Sequence, residues 1–594
     1  MNHSANQKLA ALRGQMRKQK LDGWIAPRQD EFQGEYVAPY AERLRWLTGF
    51  SGSWGTAVVL QSKSAIFVDG RYTTQVREQV NTTSYQFLHL MKEPPTDWVK
   101  ANMKRGQRLG YDPMLHTIAE AGRYREACAA VGVILVAQKE NLIDQVWFDR
   151  PKHIALPFFV QPDKFAGRSA KAKLADMAKA MAAQGADHAV LADPSSVAWV
   201  FNLRGRDVAY TPVVLAFAIL HRSGKATLFA EDEAVPLDVR KALRGLAQVQ
   251  KPIELAKDLK TLSKQKVLVD VQSTPDFIYQ ALKAAKAEVV QGRDPCTLPK
   301  AQKNSVERQG ARDAQRRDGV ALSRFLHWFS DEAPKGKLSE GAVADKLGTF
   351  RKETGLLQDL SFESIPAAGP NAAIPHYHLP NAKGRSVKLN EIFLIDSGGQ
   401  YRDGTTDVTR TVIVGKPTAE MRDRFTRVLK GMIALSRLHF PEGTMGGHID
   451  ALARASLWQA GLDFDHGTGH GVGSYLSVHE GPARISMASQ VPLLPGMILS
   501  NEPGYYKPGH YGIRIENLLL VTEPELVKGG ERKMMGFETL TLAPIDRDLI
   551  DTALLTREEL QWLDAYHARV FKEVGSQMSG DAKVWMKRVC ASLG

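Results

Sequence analysis

Cysteine is scarce in this sequence, and long hydrophobic runs are missing from it. Three of the 594 residues are cysteines, and none belongs to a CxxC pair. So small and odd a number argues against a disulfide framework and a zinc ribbon, and favours a reducing compartment, the cytoplasm. No stretch reaches the roughly 18 consecutive apolar residues of a transmembrane helix, and the N-terminus has no apolar core of the signal-peptide kind. We therefore expect a cytoplasmic protein without a membrane partner.

Acidic residues are the minority charge. The chain has 78 Lys and Arg against 65 Asp and Glu, a net charge of +13. A basic protein can bind nucleic acid, but here the basic residues are spread along the chain, so we expect no nucleic-acid partner. The 43% of hydrophobic and 24% of charged residues are ordinary for a globular protein and exclude a disordered or collagen-like chain. At roughly 150 residues per domain, three or four domains are expected.

The first 300 residues read as two copies of one design. Residues 6–19 and 170–184 are predicted helices, and each precedes short β-rich runs. Proline clusters mark boundaries near residues 151 and 295, which predicts α/β domains at 1–150 and 151–300. Nothing before residue 360 has ligand or triad spacing, so we interpret both copies as structural or substrate-gating modules.

The pattern of residues after position 300 differs from that of the two copies. Residues 305–330 have helical periodicity, and Gly- and Asp-rich strands follow them. The segment beginning at Thr556 is typical of a capping box before a helical tail. We predict a domain at 301–545 that carries the chemistry, and a helical extension at 546–594.

An apolar run ends abruptly at Asp396, and Asp407 follows 11 residues later. Asp403-Gly404 between them is a turn signal, so a hairpin is expected. A hairpin centred between Tyr401 and Arg402 places the two carboxylates opposite each other, and one centred on Asp403-Gly404 leaves them diagonal. Two carboxylates this close repel each other unless a cation neutralises them.

Two further segments carry candidate ligands. His466 and His470 lie in a glycine-rich loop, with His479 shortly after, and this loop fits neither phosphate-binding pattern GxGxxG nor the Walker sequence. Glu502 and Glu516 are 14 residues apart around Gly509, which predicts a hairpin with one glutamate on each arm. Arg514 and Glu516 share one face of the second strand, where either Arg514 or a metal would compensate the buried carboxylate.

Two Asp, one or more His and two Glu make an oxygen-rich site without sulfur. This donor set suits Mn(II) first, with Co(II) or Zn(II) as alternatives. Four carboxylates on one ion would leave excess negative charge, whereas two metal ions bridged by carboxylates and a hydroxide balance it.

These residues resemble the pita-bread metallopeptidases. The family's ordered set of five ligands is matched by Asp396, Asp407, His470, Glu502 and Glu516. Within it, the chain is most similar to the long three-domain Xaa-Pro aminopeptidases (aminopeptidase P), and the resemblance covers nearly the whole chain. It includes segments 27–36, 47–53, 369–378, 403–410 and 537–542. The implied fold is mixed α/β (α+β), with two creatinase-like N-terminal α/β domains before a pita-bread catalytic domain with a helical tail.

The resemblance also implies roles. Asp407 and Glu516 would bridge two metal ions, Asp396 would chelate one, and His470 with Glu502 would complete the other. A metal-bridging hydroxide would attack the peptide, with Glu502 as proton shuttle. His376 and His479 would bind substrate and stabilise the tetrahedral intermediate, His466 would line the proline pocket, and Arg514 would orient the carboxylates. Pro375 replaces a commoner apolar residue and is expected to shift the strand carrying His376 slightly. A homodimer is expected by analogy.

Other functions stay open at this level. Prolidase shares the ligands but acts on dipeptides, and it typically lacks the doubled N-terminal module and the tail. Methionine aminopeptidase lacks both preceding domains, and creatinase-type C–N hydrolysis is formally open. A non-catalytic pita-bread protein would bind peptides or proteins, but such relatives lose metal ligands, and all five are present here.

Overall fold

The computed structural model describes residues 5–379 and 381–594. These residues form two compact units. The first runs to Gln161 and resumes at Arg168–Thr297, and the second comprises Pro162–Gly167 and Leu298–Gly594. Over the described ranges, no helix is both long and apolar enough to cross a bilayer.

The first sheet of the first unit has six strands in the order β4-β3-β2-β1-β5-β6. The strands are β1 (Gly23–Pro27), β2 (Thr56–Leu60), β3 (Ser64–Val68), β4 (Gln86–His89), β5 (Arg108–Tyr111) and β6 (Ile134–Ala137). The helices are α1 (Ala5–Lys18), α2 (Arg43–Thr48), α3 (Gln75–Gln79), α4 (Pro95–Asn102) and α5 (Ile118–Ala130). Strand β2 is antiparallel to both neighbours, and the other pairs are parallel.

A second six-stranded sheet repeats this plan in the order β12-β11-β10-β8-β13-β14, with β10 as the antiparallel strand. The strands of this region are β7 (Phe159–Val160), β8 (His188–Leu191), β9 (Leu203–Arg204), β10 (Phe217–His221), β11 (Ala226–Phe229), β12 (Ala247–Gln250), β13 (Lys266–Val269) and β14 (Glu288–Gln291). Its helices are α6 (Asp163–Ala166), α7 (Ala170–Ala183), α8 (Pro194–Val200), α9 (Leu237–Leu243), α10 (Leu255–Thr261), α11 (Asp276–Ala284) and α12 (Thr297–Ala301). The shared strand order confirms that the two α/β domains are related.

The second unit contains a long helix, α13 (Ser305–Glu332), close to the predicted 305–330. A capping box explains its start, because the Asn304 side chain accepts from the backbone of Glu307 while the Glu307 side chain accepts from that of Asn304. The later helices are α14 (Glu340–Lys352), α15 (Ala419–Ser436), α16 (Gly446–Trp458), α17 (Arg557–Glu573) and α18 (Gly580–Val589). Thr556 and Glu559 form the predicted capping box of α17.

Short antiparallel strands carry the candidate site. They are β15 (Leu357–Leu360), β16 (Ile365–Ala368), β17 (Glu391–Ser397), β18 (Gly399–Tyr401), β19 (Gly404–Thr405), β20 (Val408–Val414), β21 (Gly469–Gly471), β22 (Glu480–Ile485), β23 (Ile498–Asn501), β24 (Gly504–Lys507), β25 (Tyr511–Arg514), β26 (Asn517–Val521), β27 (Glu525–Leu526), β28 (Lys533–Met534) and β29 (Phe537–Thr539). Phe425 of α15, Ile513 of β25 and Tyr566 of α17 belong to one buried apolar cluster, which fixes the strands between helices.

The register of two hairpins decides where the acidic residues lie. Asp396 pairs with Thr409, and Tyr401 pairs with Gly404, so the first hairpin is centred between Arg402 and Asp403. Both centres considered from the sequence are therefore wrong, by one residue in opposite directions, and Asp407 lies diagonal to Asp396.

The second hairpin has the predicted centre. Gly504 pairs with Arg514 and Asn501 pairs with Asn517, so a single register about Gly509 runs through both pairs of strands. Glu502 and Glu516 occupy matching places between those pairs. This arrangement brings the two glutamates face to face.

Candidate metal centre

Asp407, His470 and Glu516 form a compact group of potential ligands. One ligand atom from each lies within 4.8 Å of the others. Glu502 joins them, because its Oε1 lies 3.4 Å from His470 Nε2, while Asp407 Oδ2 lies 3.5 Å from the same nitrogen. The structure thus brings four of the five predicted ligands directly together. Asp396 is linked to them through Arg514.

The Nε2 atom of His470 faces these carboxylates, and the hydrogen bonds of the residue indicate that this nitrogen carries no proton. Its backbone is held by the hydroxyl of Ser500, which accepts from His470 N at 2.9 Å. Its Nδ1 lies 2.9 Å from the carbonyl oxygen of Gly471, and a carbonyl only accepts, so Nδ1 carries the proton. In the neutral ring, Nε2 then directs its lone pair at Asp407 and Glu502, which is the arrangement a cation requires.

The electrostatics of the cluster fit a bound cation. Burial, followed by the repulsion of Glu516 and Asp396, raises the pKa of Asp407 well above its ordinary value. Burial and the charges of Asp396 and Glu502 likewise raise the pKa of Glu516, and burial raises the pKa of Glu502 to about 7. Asp396 Oδ1 is buried, and no residue in the described part of the chain donates a hydrogen bond to it. Divalent cations would compensate this excess of buried negative charge, so the residues fit the metal centre that the sequence predicts.

Arg514 provides the fixed positive charge of the site. Its Nη2 donates to Asp396 Oδ2 at 2.7 Å, and its Nε donates to the hydroxyl of Thr409 at 3.1 Å. The same hydroxyl donates to Glu516 Oε2 at 2.9 Å. Nearby Tyr506, Asp396 and Glu502 raise the pKa of Arg514 despite its burial. Arg514 therefore orients carboxylates on both hairpins.

His466 connects to the same arginine through Tyr506. Arg514 Nη1 donates to the Tyr506 hydroxyl at 2.8 Å, and this hydroxyl lies 2.8 Å from His466 Nε2. His466 Nδ1 lies 2.8 Å from the Gly467 carbonyl oxygen, and because a carbonyl only accepts, Nδ1 carries the proton and Nε2 of the neutral ring accepts from the Tyr506 hydroxyl. The His466 ring also lies 4.8 Å from the ring of Phe464. This half-buried aromatic group gives the site an apolar wall.

His479 stands beside His470, with ring centroids 4.3 Å apart and planes at 82°. The chain leaves the β21–β22 ladder after Gly471 and returns at Glu480, its pairing partner. Glu480 is buried and forms ion pairs with Lys303 and, at 3.8 Å, with Lys300. These buried pairs fix the end of the loop that carries His479.

His376 lies half-buried in a turn that follows a 3-10 segment, Gly369–Ala373. The predicted strand at His376 is therefore wrong. The 3-10 segment packs so closely on β25 that a Cβ on Gly512 would lie 1.8 Å from the Ala372 carbonyl oxygen. Glycine is required there to bring the His376 segment against the strand that ends in Arg514.

Glu340 holds the same segment from its other side. Its Oε1 accepts from Ala368 N at 2.9 Å and from the Asn371 side chain at 2.8 Å. Its Oε2 accepts from the Tyr377 hydroxyl at 2.9 Å and from Arg385 N at 2.7 Å. One buried carboxylate therefore binds the chain before and after His376.

Sequence reasoning missed Glu340, Thr409, Ser500 and Tyr506. Ser500 donates to Glu502 Oε1 at 3.0 Å and so orients that carboxylate. Thr409, Ser500 and Tyr506 each lie within four residues of a predicted ligand, and their nearness was the available signal. Glu340 lies more than fifty residues from any ligand and has no such signal.

The chain matches models of known protein families over most of its length. A family model of metallopeptidase family M24 matches residues 309–523, and one of the C-terminal region of that peptidase matches residues 533–593. Two models of creatinase/prolidase N-terminal domains match residues 8–146 and 149–307. The chain belongs to metallopeptidase family M24.

Relatives match over the full length. A probable Xaa-Pro aminopeptidase P of Neosartorya fischeri is 39% identical, over 99% of this chain and 93% of its own. One of Paracoccidioides brasiliensis is 37% identical, over 98% of both chains. The M24 chain also resembles the crystal structure of X-prolyl aminopeptidase from Caenorhabditis elegans, described as a cytosolic enzyme with a di-nuclear active site. The TM-score is 0.95 at 33% identity, over 99% of this chain and 100% of that one.

Similarity to a more distant solved structure concerns the fold alone. The Xaa-Pro dipeptidase of Bacillus anthracis has a TM-score of 0.52 at 24% identity, covering 64% of this chain and 99% of that one. The comparisons and the structure together confirm the predicted fold, with creatinase-like domains before an M24 pita-bread domain.

Proposed function

We propose that this chain is a metal-dependent Xaa-Pro aminopeptidase, which releases the N-terminal residue from peptides with proline in second position. The observation that carries the chemistry is the group of Asp407, His470 and Glu516, whose ligand atoms lie within 4.8 Å of one another and whose two carboxylates are buried. The substrate class rests on the full-length relatives, whose names describe this activity.

The residues that would hold two divalent ions are Asp396, Asp407, His470, Glu502 and Glu516. Mn(II) is our first choice, because the set is rich in carboxylate oxygen and has no sulfur, and Co(II) or Zn(II) could replace it. Such ions, when bound, polarise the substrate carbonyl and lower the pKa of water. The C. elegans protein is itself described as di-nuclear.

Glu502 is the proposed proton shuttle. Its carboxylate is half-buried, and Ser500 orients its Oε1. A carboxylate held in this way can take a proton from the attacking water and deliver it to the nitrogen of the leaving proline. That nitrogen needs the proton because it leaves as a secondary amine.

Histidines surround the carboxylate group, and we assign them to the substrate. His376 and His479 would donate to the carbonyl oxygen as negative charge develops on it. His466 would line the pocket for proline together with Phe464, which lies 4.8 Å away. Proline after the scissile bond offers no N–H, so its recognition must rest on ring shape and apolar contact.

The test is hydrolysis of Arg-Pro-Pro, Arg-Ala-Ala and Gly-Pro by metal-stripped protein titrated with Mn(II). We expect arginine release from Arg-Pro-Pro only after metal addition, with little cleavage of the other peptides. Asp407→Asn should abolish it, whereas Asp345→Asn, a matched change at an exposed residue of α14, should not. Preference for Gly-Pro would make the chain a prolidase. No cleavage by folded, metal-loaded protein would favour a peptide-binding module.

Two further features belong to this proposal. We place the enzyme in the cytoplasm, because the chain has few cysteines, all of them buried, and the C. elegans neighbour is described as cytosolic. We also propose a homodimer, by analogy with the family. Light scattering that gave a mass near 65.6 kDa, the mass of one chain, would contradict it.

A further inference from the structure

A cavity of about 380 Å³ lies between the two α/β domains of the first unit. This volume is within the range of small-molecule sites, roughly 300–1000 Å³. The whole of its lining belongs to the first unit. Its properties are therefore independent of the metal centre and of the function proposed for it.

The position of the cavity in the fold is typical of a ligand site. Phe229 and Glu231 line it where β11 ends, and Pro252 does so just beyond β12, which is parallel to β11. From the other domain, Glu31 and Phe32 line it shortly after β1 ends. The carboxyl edges of both sheets thus face the cavity. In open α/β sheets, ligands bind outside the carboxyl ends of the strands.

The walls are largely apolar, and five of the lining residues are phenylalanines. Phe32 and Phe217 stack with ring centroids 4.9 Å apart, and Phe158, Phe229 and Phe277 add three more phenyl groups. An apolar body would gain contact area in such a cavity. The faces of these rings would also attract a positive charge.

The polar groups of the lining are mostly acidic. Glu31, Asp207 and Glu231 contribute carboxylates, and His153 is the one basic side chain among the lining residues, which all lie in the described ranges. Glu31 is already engaged, because its Oε1 accepts from the Tyr40 hydroxyl at 2.6 Å.

Asp207 is satisfied on one oxygen only. Its Oδ1 accepts from Leu156 N at 2.9 Å, whereas its Oδ2 is buried and has no hydrogen-bond partner among residues 5–379 and 381–594. Burial also raises the pKa of Asp207 above its ordinary value, against the charge of His153. A buried carboxylate oxygen without a donor is unfavourable, and a ligand with a charged N–H group would supply the donor.

We propose that this cavity binds a small primary amine with an apolar body. The ammonium group would pair with Asp207 and Glu231, and the body would lie against the phenyl rings. No Lys or Arg among the lining residues competes for these carboxylates. The site would give the N-terminal half of the chain a ligand of its own.

The test is calorimetric titration of the full metal-loaded chain with 2-phenylethylamine, and with 2-phenylethanol as the neutral analogue. We expect saturable binding of one amine, and at least about tenfold weaker binding of the alcohol, because hydrogen bonds to charged groups are the stronger ones. Asp207→Asn with Glu231→Gln should weaken the amine by a similar factor. Glu233→Gln, a matched change at an exposed neighbour outside the lining, should not.

Two more variants make the result unambiguous. Ala256→Phe fills the cavity and should prevent binding, while its circular dichroism and melting temperature report whether it folds. Asp407→Asn should leave amine binding intact. The proposal is wrong if the folded chain binds no amine at millimolar concentration, if amine and alcohol bind equally, if the Asp207/Glu231 pair of changes has no effect, or if Asp407→Asn alone removes binding.

Discussion

Two regions of the second unit bury a glutamate almost completely, and they satisfy it in opposite ways. Glu340, at the start of α14, is 0% exposed and accepts four hydrogen bonds from neutral donors. Glu516, before β26, is 1% exposed and lies among Asp396, Asp407 and Glu502. The protein alone completes the first environment, whereas we propose that a bound cation completes the second. Burial of a carboxylate therefore does not by itself indicate metal binding. The number of hydrogen-bond donors around the carboxylate shows whether the protein alone can satisfy it.

The largest effect that follows from this comparison is on activity. Glu516→Gln removes a proposed bridging ligand, so hydrolysis of Arg-Pro-Pro should fall by more than about a hundredfold, since even changes behind the ligands cost 10- to 100-fold. The metal-free variant should be at least as stable as metal-free wild type, because one repelling charge is gone. Steady-state kinetics and thermal melting in EDTA measure both. A metal-free variant that melts well below wild type would show that repulsion does not dominate there.

Metal binding itself should stabilise only the intact cluster. With Mn(II) at about 100 times its dissociation constant, the free energy of unfolding of wild type should rise by about 3 kcal/mol. Thermal melting with and without Mn(II) measures this. The Glu516→Gln protein should respond less, and Glu340→Gln should respond like wild type. If Mn(II) shifted the melting temperatures of wild type and Glu516→Gln equally, Glu516 would not be a metal ligand.

Glu340→Gln should have a smaller effect, through position rather than through metal. An amide nitrogen in place of Oε2 can accept from neither the Tyr377 hydroxyl nor Arg385 N, so the free energy of unfolding should fall by about 1–3 kcal/mol. The turn that carries His376 loses its support, and kcat/KM should drop by roughly tenfold. Glu353→Gln, at the exposed end of the same helix, is the matched control and should change little. Full activity in a destabilised Glu340→Gln protein would separate this network from catalysis.

A buried histidine, His567, extends the comparison of buried ionisable groups. His567 in α17 accepts from Ile545 N at 3.1 Å, and burial, with Arg410 nearby, lowers its pKa to about 4. The unfolded chain protonates this ring below about pH 6.5 and the folded chain only below about pH 4, so stability is lost as the pH falls through that window. At pH 5 the loss is about 2 kcal/mol.

His567→Gln keeps an acceptor for Ile545 N and does not titrate. Its unfolding free energy should therefore depend less on pH between 7 and 5 than that of wild type. Denaturant melts at both pH values measure the difference. Parallel pH profiles for the two proteins would show that His567 does not titrate as described.

The sequence predicted what depends on local pattern. Glu502 and Glu516 share a hairpin whose centre at Gly509 followed from spacing alone, and the structure has that register. Neither of the two centres expected for the other hairpin is correct, and the centre on Asp403-Gly404 is wrong because Gly404 is not a turn residue. It lies in β19 instead, where a Cβ would approach the Cβ of Ala314 to 3.1 Å and the Cα of Ala311 to 3.2 Å, so glycine serves the packing of α13.

Contacts between distant residues were beyond prediction. Glu340 binds residues 368 to 385, and neither end of that network has a recognisable motif. The cavity of the first unit is similar, since Glu31, Asp207 and Glu231 meet only after two sheets are folded. The interpretation of both N-terminal copies as structural or substrate-gating modules stays a prediction, as do the roles of the individual site residues.

The close approach of Gly512 to Ala372 has a consequence for natural variation. An alanine at 512 would pass most tables of conservative exchange, and it would change neither charge nor any ligand. Its methyl group would nevertheless occupy the space of a carbonyl oxygen and push the His376 turn outward. The geometry of the proposed site therefore depends on the absence of a side chain at position 512. A natural variant with alanine at this position is a candidate for loss of function.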